Sequence, residues 1–176
     1  MTGKTEQGFT LIELLIVVAI ISIIAAFAVP GLLSARMTGN ETSAIVSMRT
    51  TATSQIAYSA SWGNGGYASS YAVLGTPPTG TSEAFISADL GHAAPVMKAG
   101  YTFTLGPGAG SVAGPADGAG TPTITGWLAT GVPQTFGTSG RRGFAINAGN
   151  TVWQDTTGAA PAEPFTASAT VSPLTQ

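Results

Sequence analysis

Glu13 is the residue whose position most clearly asks for chemistry. It stands in Phe9-Thr-Leu-Ile-Glu-Leu-Leu-Ile-Val-Val-Ala-Ile-Ile21, a segment that is otherwise almost wholly apolar. An ionised carboxylate at the centre of a membrane helix costs on the order of 2.5–3.5 kcal/mol, and less near an end. Two readings stay open. Either Glu13 lies at the interface and its carboxylate reaches water, or it has a fixed cationic partner. A new α-amino group on Phe9, made by cutting the chain after Gly8, would be such a partner. It would lie about one helical turn from Glu13 on the same chain, and the amine of a neighbouring chain in a staggered array would be better aligned.

No other residues have the types and spacing of a catalytic or ligand site. His92 is the sole histidine and there is no cysteine, which excludes thiolate nucleophiles, disulfides and Cys-based metal or iron–sulfur centres. A Ser–His–carboxylate triad would have to recruit His92 from a connecting segment. The Gly106-Pro-Gly-Ala-Gly-Ser run lacks the lysine of a phosphate loop and opens no helix. Asp117, Asp155 and Glu163 are isolated, so calcium would need a site assembled from distant loops. Arg141-Arg142 is the only basic pair. It reads as a solvated turn before a strand, or, more sharply, as a weak DNA contact, so nucleic acid is not an expected partner. No enzyme activity, cofactor or metal is expected.

The composition sets the frame for these residues. Six Lys and Arg against eight Asp and Glu make 8% of the 176 residues charged, with a net charge of −2. An ordinary domain carries about 25%, so a basic nucleic-acid binder and charge-driven disorder are both excluded. Leu14 to Ala35 contains no charge, and only Ser22, Pro30, Gly31 and Ser34 interrupt its apolar run. A helix of that length crosses the ~30 Å core of a bilayer. It is apolar on all sides, which fits lipid or complete burial. A removable secretory signal would have a shorter apolar core and a cleavage site after it.

Helical spacing continues beyond this run. Met37, Ile45, Met48, Ala52, Ile56, Ser59 and Trp62 fall near one face, which predicts a stripe packed on a globular part. Pro30 removes one backbone hydrogen bond. With Gly31 beside it, the expectation is a kink, the alternative being that the helix ends there. Trp62-Gly-Asn-Gly-Gly66 stops the helix, and an irregular connector follows, with a short helix expected over Glu83 to Leu90. Tyr101 to Leu105 alternates like a strand, and Thr123 to Thr130 is a second strand-like run. Residues 143–146 and 151–154 flank Asn147-Ala-Gly-Asn150 as a hairpin. Gly106 to Gly120 reads as an exposed loop, and Ala159 to Gln176 as a draped tail.

The N-terminal stretch resembles the class III leader of type IV prepilins and related pseudopilins. Lys4, Gly8, Phe9, Thr10, Leu11, Ile12, Glu13 and Leu14, with the apolar run behind them, carry the likeness. The segment Val29 to Arg36, followed by Asn40, Glu41, Ser43 and Ala44, the Tyr-Thr-Phe strand and the Gly-Arg-Arg-Gly-Phe144 hairpin resemble one subgroup of these pilins. The resemblance implies an α+β fold, with a long N-terminal helical stem on an antiparallel sheet of about four strands. The implied organisation is a cleaved leader at 1–8, a transmembrane or filament-core half of the stem at 9–35, and a packed half at 36–62. A connector at 63–100 and the sheet with its C-terminal loop at 101–176 complete it.

The resemblance further implies cutting between Gly8 and Phe9 and N-methylation of Phe9, both by a prepilin peptidase. It gives Glu13 a role in setting subunit register, and Pro30 and Gly31 the role of the mid-stem kink. The implied partners are identical subunits in a homopolymer, the inner membrane before assembly, the peptidase, and, indirectly, an assembly platform with its ATPase. The implied end state is an extracellular pilus. A major pseudopilin of a type II secretion system and a membrane-anchored adhesion domain that never polymerises are the alternatives. Many pilins close their last loop with two cysteines; here another contact must do so.

Overall fold

The structure, a computed structural model, describes residues 8–174. The expected leader at 1–8, with Lys4, thus lies outside the described residues except for Gly8. The chain divides into two compact units, one ending at Arg36 and one beginning at Met37.

The first unit is helical. Helix α1 is assigned from Leu11 to Ser61 without a break, and Pro30 lies inside it, so Pro30 does not end it. From Phe9 to Leu33 the large apolar side chains are exposed on every side. Among the described residues this is the one helix long and apolar enough to cross a membrane. Ser22, a polar interruption, donates its hydroxyl to the Val18 carbonyl at 2.8 Å. That bond satisfies the hydroxyl inside its own helix, as an apolar surrounding requires.

The second unit is α+β. Its main sheet is antiparallel and has six strands in the order β1-β2-β5-β6-β7-β8. These are β1 (Val96–Lys98), β2 (Tyr101–Pro107), β5 (Trp127–Pro133), β6 (Gly143–Asn147), β7 (Trp153–Asp155) and β8 (Val171–Pro173). β3 (Ala113–Ala116) and β4 (Pro122–Ile124) form a separate two-stranded sheet. The expected count of about four strands is therefore too low. The missed strands are short, and β3 and β8 are built from Ala, Gly, Pro, Ser and Val, without the aromatic alternation that marked β2. The run from Thr123 to Thr130 is divided between the two sheets, because the chain turns at Thr125 and Gly126.

The core lies between the sheet and the C-terminal part of α1. Met48, Ala52 and Tyr58 from the helix join Tyr101, Phe103, Trp127, Phe144 and Ile146 from the sheet. Gly131 is placed where a Cβ would come within 3.1–3.2 Å of Phe103 and of the Met48 methyl, so its bare backbone permits this close approach.

The buried face of α1 differs from the expected apolar stripe. It includes Glu41, Ser47, Thr51, Ser54 and Gln55, whereas Ile56 is exposed. For Thr51, Ser54 and Gln55 the cause is the connector, whose irregular chain needs partners. Gln55 answers both backbone groups of Ala68: its Nε2 donates to the carbonyl and its Oε1 accepts from the amide, each at 2.9 Å. Ser54 donates to the Phe85 carbonyl at 2.8 Å, and the Thr51 and Tyr71 hydroxyls bond at 3.0 Å. The connector's helix is α2 (Tyr71–Leu74), capped by Ser70, and not the expected one over Glu83 to Leu90.

Glu41 is the charged member of this face. Its Oε1 accepts the backbone amides of Arg141 and Arg142 at 2.8 and 3.2 Å. Its Oε2 accepts Arg142 Nε at 2.8 Å and pairs with Nη2 at 2.7 Å. Arg142 also donates to Gln154 at 2.7 Å and lies over the Phe144 ring. The basic pair is therefore no simple solvated turn: Arg142 is an anchor between α1 and the start of β6.

The tail is closed without a covalent bond. Glu163 Oε2 accepts the Ala109 amide at 2.6 Å, and Oε1 accepts from Asn147. Phe165 stacks on Trp153 at 5.5 Å, β8 pairs with β7, and the Leu174 amide donates to Val152 at 2.8 Å.

Two predictions follow from this packing. Glu41→Ala leaves Arg142 and two amides without their acceptor, and the ion pair is partly buried, so stability should fall by about 2–3 kcal/mol in chemical unfolding. A loss under half a kcal/mol would show that Glu41 anchors nothing.

The pH profile is the second. Burial opposes the charge of Asp117, but the Tyr58 hydroxyl and the Thr121 and Ala119 amides outweigh it and hold its pKa below the ordinary value. Asp89 is lowered by its bond to Lys98 and by Ser87. Burial pushes Tyr71 up to about 12 and raises Tyr58 and Tyr101 as well. Carboxylates lowered in the fold stabilise it above their unfolded pKa of about 4, and that stability is lost as pH falls through the folded values. Tyrosines raised in the fold stabilise it below about 10, and that contribution is lost as pH climbs toward their folded values. Thermal melts of Asp117→Asn should lose much of the acid-side slope, and a slope equal to that of the parent would refute the assignment.

Candidate functional site

The residues singled out for processing and assembly lie at the start of α1. Gly8, Phe9 and Thr10 are exposed and lie outside regular structure, and the helix begins at Leu11. Phe9 is 91% exposed, and a Cβ at Gly8 would meet nothing within 4 Å. The backbone on both sides of the Gly8–Phe9 bond is thus open to an enzyme.

Glu13 has a partner in its own chain. Its Oε2 accepts the Thr10 amide at 2.9 Å and the Thr10 hydroxyl at 2.6 Å, and the Glu13 amide donates back to the Thr10 hydroxyl at 3.3 Å. This is a capping box: Thr10 is the N-cap, and the glutamate three residues on reaches back to the cap's N–H. The negative charge also stands at the positive end of the helix dipole. Thr-x-x-Glu before an apolar run is a sequence signature of a helix start, so this arrangement was legible at Thr10. The two readings of Glu13, a carboxylate reaching water at the interface or one paired with a cation, both leave out this neighbouring hydroxyl.

Other residues considered for chemistry do not converge. Asp117 serves the Tyr58 hydroxyl at 2.8 Å and its own turn. Glu163 ties down the tail. Asp155 accepts from the Thr157 amide and hydroxyl at 2.9 and 2.8 Å. His92 is exposed, its ring nitrogen 3.0 Å from the Ala93 carbonyl. Among the described residues no group of three or more His, Asp or Glu side chains gathers as a metal site would need.

The cap can be tested directly. Thr10→Ala removes both hydroxyl bonds and should destabilise the first turn by about 1 kcal/mol. In the full chain in detergent, the amides of Glu13 and Leu14 should then exchange about fivefold faster, while those of Met48 and Ala52 stay unchanged. Equal protection in parent and variant would overturn the capping role.

Comparison with known proteins bears on the same end of the chain. Residues 3–29 match the family model of the prokaryotic N-terminal methylation motif. The type IV wide pilus major component PilA4 of Thermus thermophilus is 59% identical over 39 residues, which are 22% of this chain and 30% of that protein. The match thus spans less than a third of the relative's length. No solved structure matches the chain. Both likenesses are short: a methylation motif at the head of the exposed apolar helix and 39 residues shared with a pilus component.

Proposed function

We propose that the chain is the structural subunit of a bacterial type IV pilus-like filament, assembled after its leader is removed. The observation that carries this reading is the methylation motif over residues 3–29. It is seated on a helix whose apolar side chains have no cover of their own. A prepilin peptidase cuts between Gly8 and Phe9 and methylates the new amine. The helix holds the precursor in the inner membrane until assembly. Stems then leave lipid and pack on identical stems, exchanging one apolar surrounding for another. The filament stands outside the cell.

Glu13 sets the stagger. Once Phe9 is the first residue, its amine competes with Thr10 for the Glu13 carboxylate. A neighbour's amine that reaches Glu13 neutralises a charge which any other stagger would bury unpaired. The capping bonds hold the carboxylate at the helix end until then. Pro30 cannot donate to the Ala26 carbonyl, and Gly31 adds backbone freedom, so this turn is where the stem bends or loosens in a packed filament.

The deciding measurement is intact and N-terminal peptide mass spectrometry on filaments sheared from native cells. A chain beginning with methylated Phe9 is expected. A chain still beginning at Met1, found only with membranes, would refute the filament reading and favour an anchored, non-polymerising domain. Glu13→Ala should keep membrane insertion and lose ordered filaments; normal filaments from that variant would sink the stagger mechanism.

A further inference from the structure

The globular unit has an unassigned cleft beside the end of α1. Two cavities, about 750 and 360 Å³, both have Trp62 and Pro78 in their walls. These volumes fall within the ~300–1,000 Å³ of small-molecule sites. The larger cavity adds Phe85, Thr81, Ser82 and Glu83; the smaller adds Thr76, Thr79, Thr121 and Asp117.

The wall they share is fixed. The Gly118 amide donates to the Trp62 carbonyl at 3.0 Å. A Cβ on Gly118 would lie 2.9–3.0 Å from three atoms of the indole, so Gly118 rests against the ring. A side chain there would push the ring aside. Phe85 is held edge-on by Tyr58 at 5.3 Å.

The remaining lining selects the ligand. No Lys, Arg or His lines either cavity, which argues against phosphates and other anions. Asp117 already accepts from the Tyr58 hydroxyl and the Ala119 and Thr121 amides, so its charge is spent within the chain and does not call for a cationic ligand. What is left is an aromatic face, two prolines and a rim of hydroxyls, with the exposed Glu83 carboxylate as acceptor. The C–H face of a pyranose carries slight positive charge and packs on the negative face of an indole. Its hydroxyls both donate and accept, as the threonine and serine rim does.

We propose that this cleft binds a neutral saccharide, with one sugar ring on Trp62 and its hydroxyls met by Thr79, Ser82 and Glu83. The inference goes beyond the filament reading and stands whether or not the chain polymerises. The sugar comes either from outside or from a glycan carried by a neighbouring copy.

The test uses the full chain made in a host that attaches no glycans, held in a detergent without a sugar headgroup. Maltotriose, the trimer of N-acetylglucosamine and laminaritriose are added at millimolar concentration. Binding is read by saturation-transfer NMR and by tryptophan fluorescence. At least one trisaccharide should receive transfer at its C–H protons. Trp62→Ala should weaken binding about tenfold or more. Ser82→Trp, which fills the mouth from an exposed position, should do the same with an unchanged melting temperature, and Trp153→Phe should leave binding intact. Absence of transfer to all three sugars, or equal binding by parent, Trp62→Ala and Ser82→Trp, overturns the proposal. If the recombinant chain binds and native filaments do not, the site is filled by the filament's own glycan; if both bind, the ligand comes from outside.

Discussion

A buried carboxylate must be surrounded by donors or the fold will not keep it. Glu41 has four, all from Arg141 and Arg142, a hundred residues further along the chain. Two are backbone amides, which any residue would offer. Two are guanidinium N–H groups in the fork geometry that only arginine presents. The ion pair therefore fixes more than a distance: it sets the entry of β6 and the direction of the Arg142 side chain. Arg142 then covers Phe144 and reaches Gln154 on β7. Tyr101 donates to the Arg142 carbonyl at 2.8 Å, which brings β2 into the same arrangement. Three of the six strands of the main sheet are thus tied to one glutamate on the helix.

The same logic explains the polar face of α1. A helix packed only on a sheet would present apolar side chains. This one also faces a connector with little regular structure, whose backbone groups cannot satisfy one another. Gln55 and Ser54 supply what a strand or a helix would have supplied, and Thr51 meets the connector's Tyr71 hydroxyl. Buried amide and hydroxyl groups are costly only when unpaired, and these are paired. The helix is in this sense a scaffold for loops as much as a partner for the sheet.

These features mark the limit of what the sequence disclosed. The long apolar helix, the alternating strand at Tyr101 and the hairpin around Asn147 to Asn150 were legible, because each rests on local periodicity or on turn chemistry within a few residues. Asn150 indeed takes a positive φ, as the hairpin signal implied. The polar stripe was not legible, because Gln55 and Glu41 have the composition of a solvent face until their distant partners are known. The short strands escaped for a related reason: β8 exists because β7 offers it a ladder, not because Val-Ser-Pro prefers to be extended. At the N-terminus the odd position of Glu13 stands out in the sequence, and its bond to Thr10 follows from the Thr-x-x-Glu spacing.

The edges of the main sheet carry one further consequence. β1 and β8 are three residues each; Pro95 adjoins the first and Pro173 lies in the second. An edge this short, interrupted by a residue with no N–H, makes a poor template for another strand. Chains crowded side by side by an apolar helix are exposed to strand exchange more than freely diffusing ones. With both borders blunted, the sheet offers a neighbouring copy little backbone to pair with.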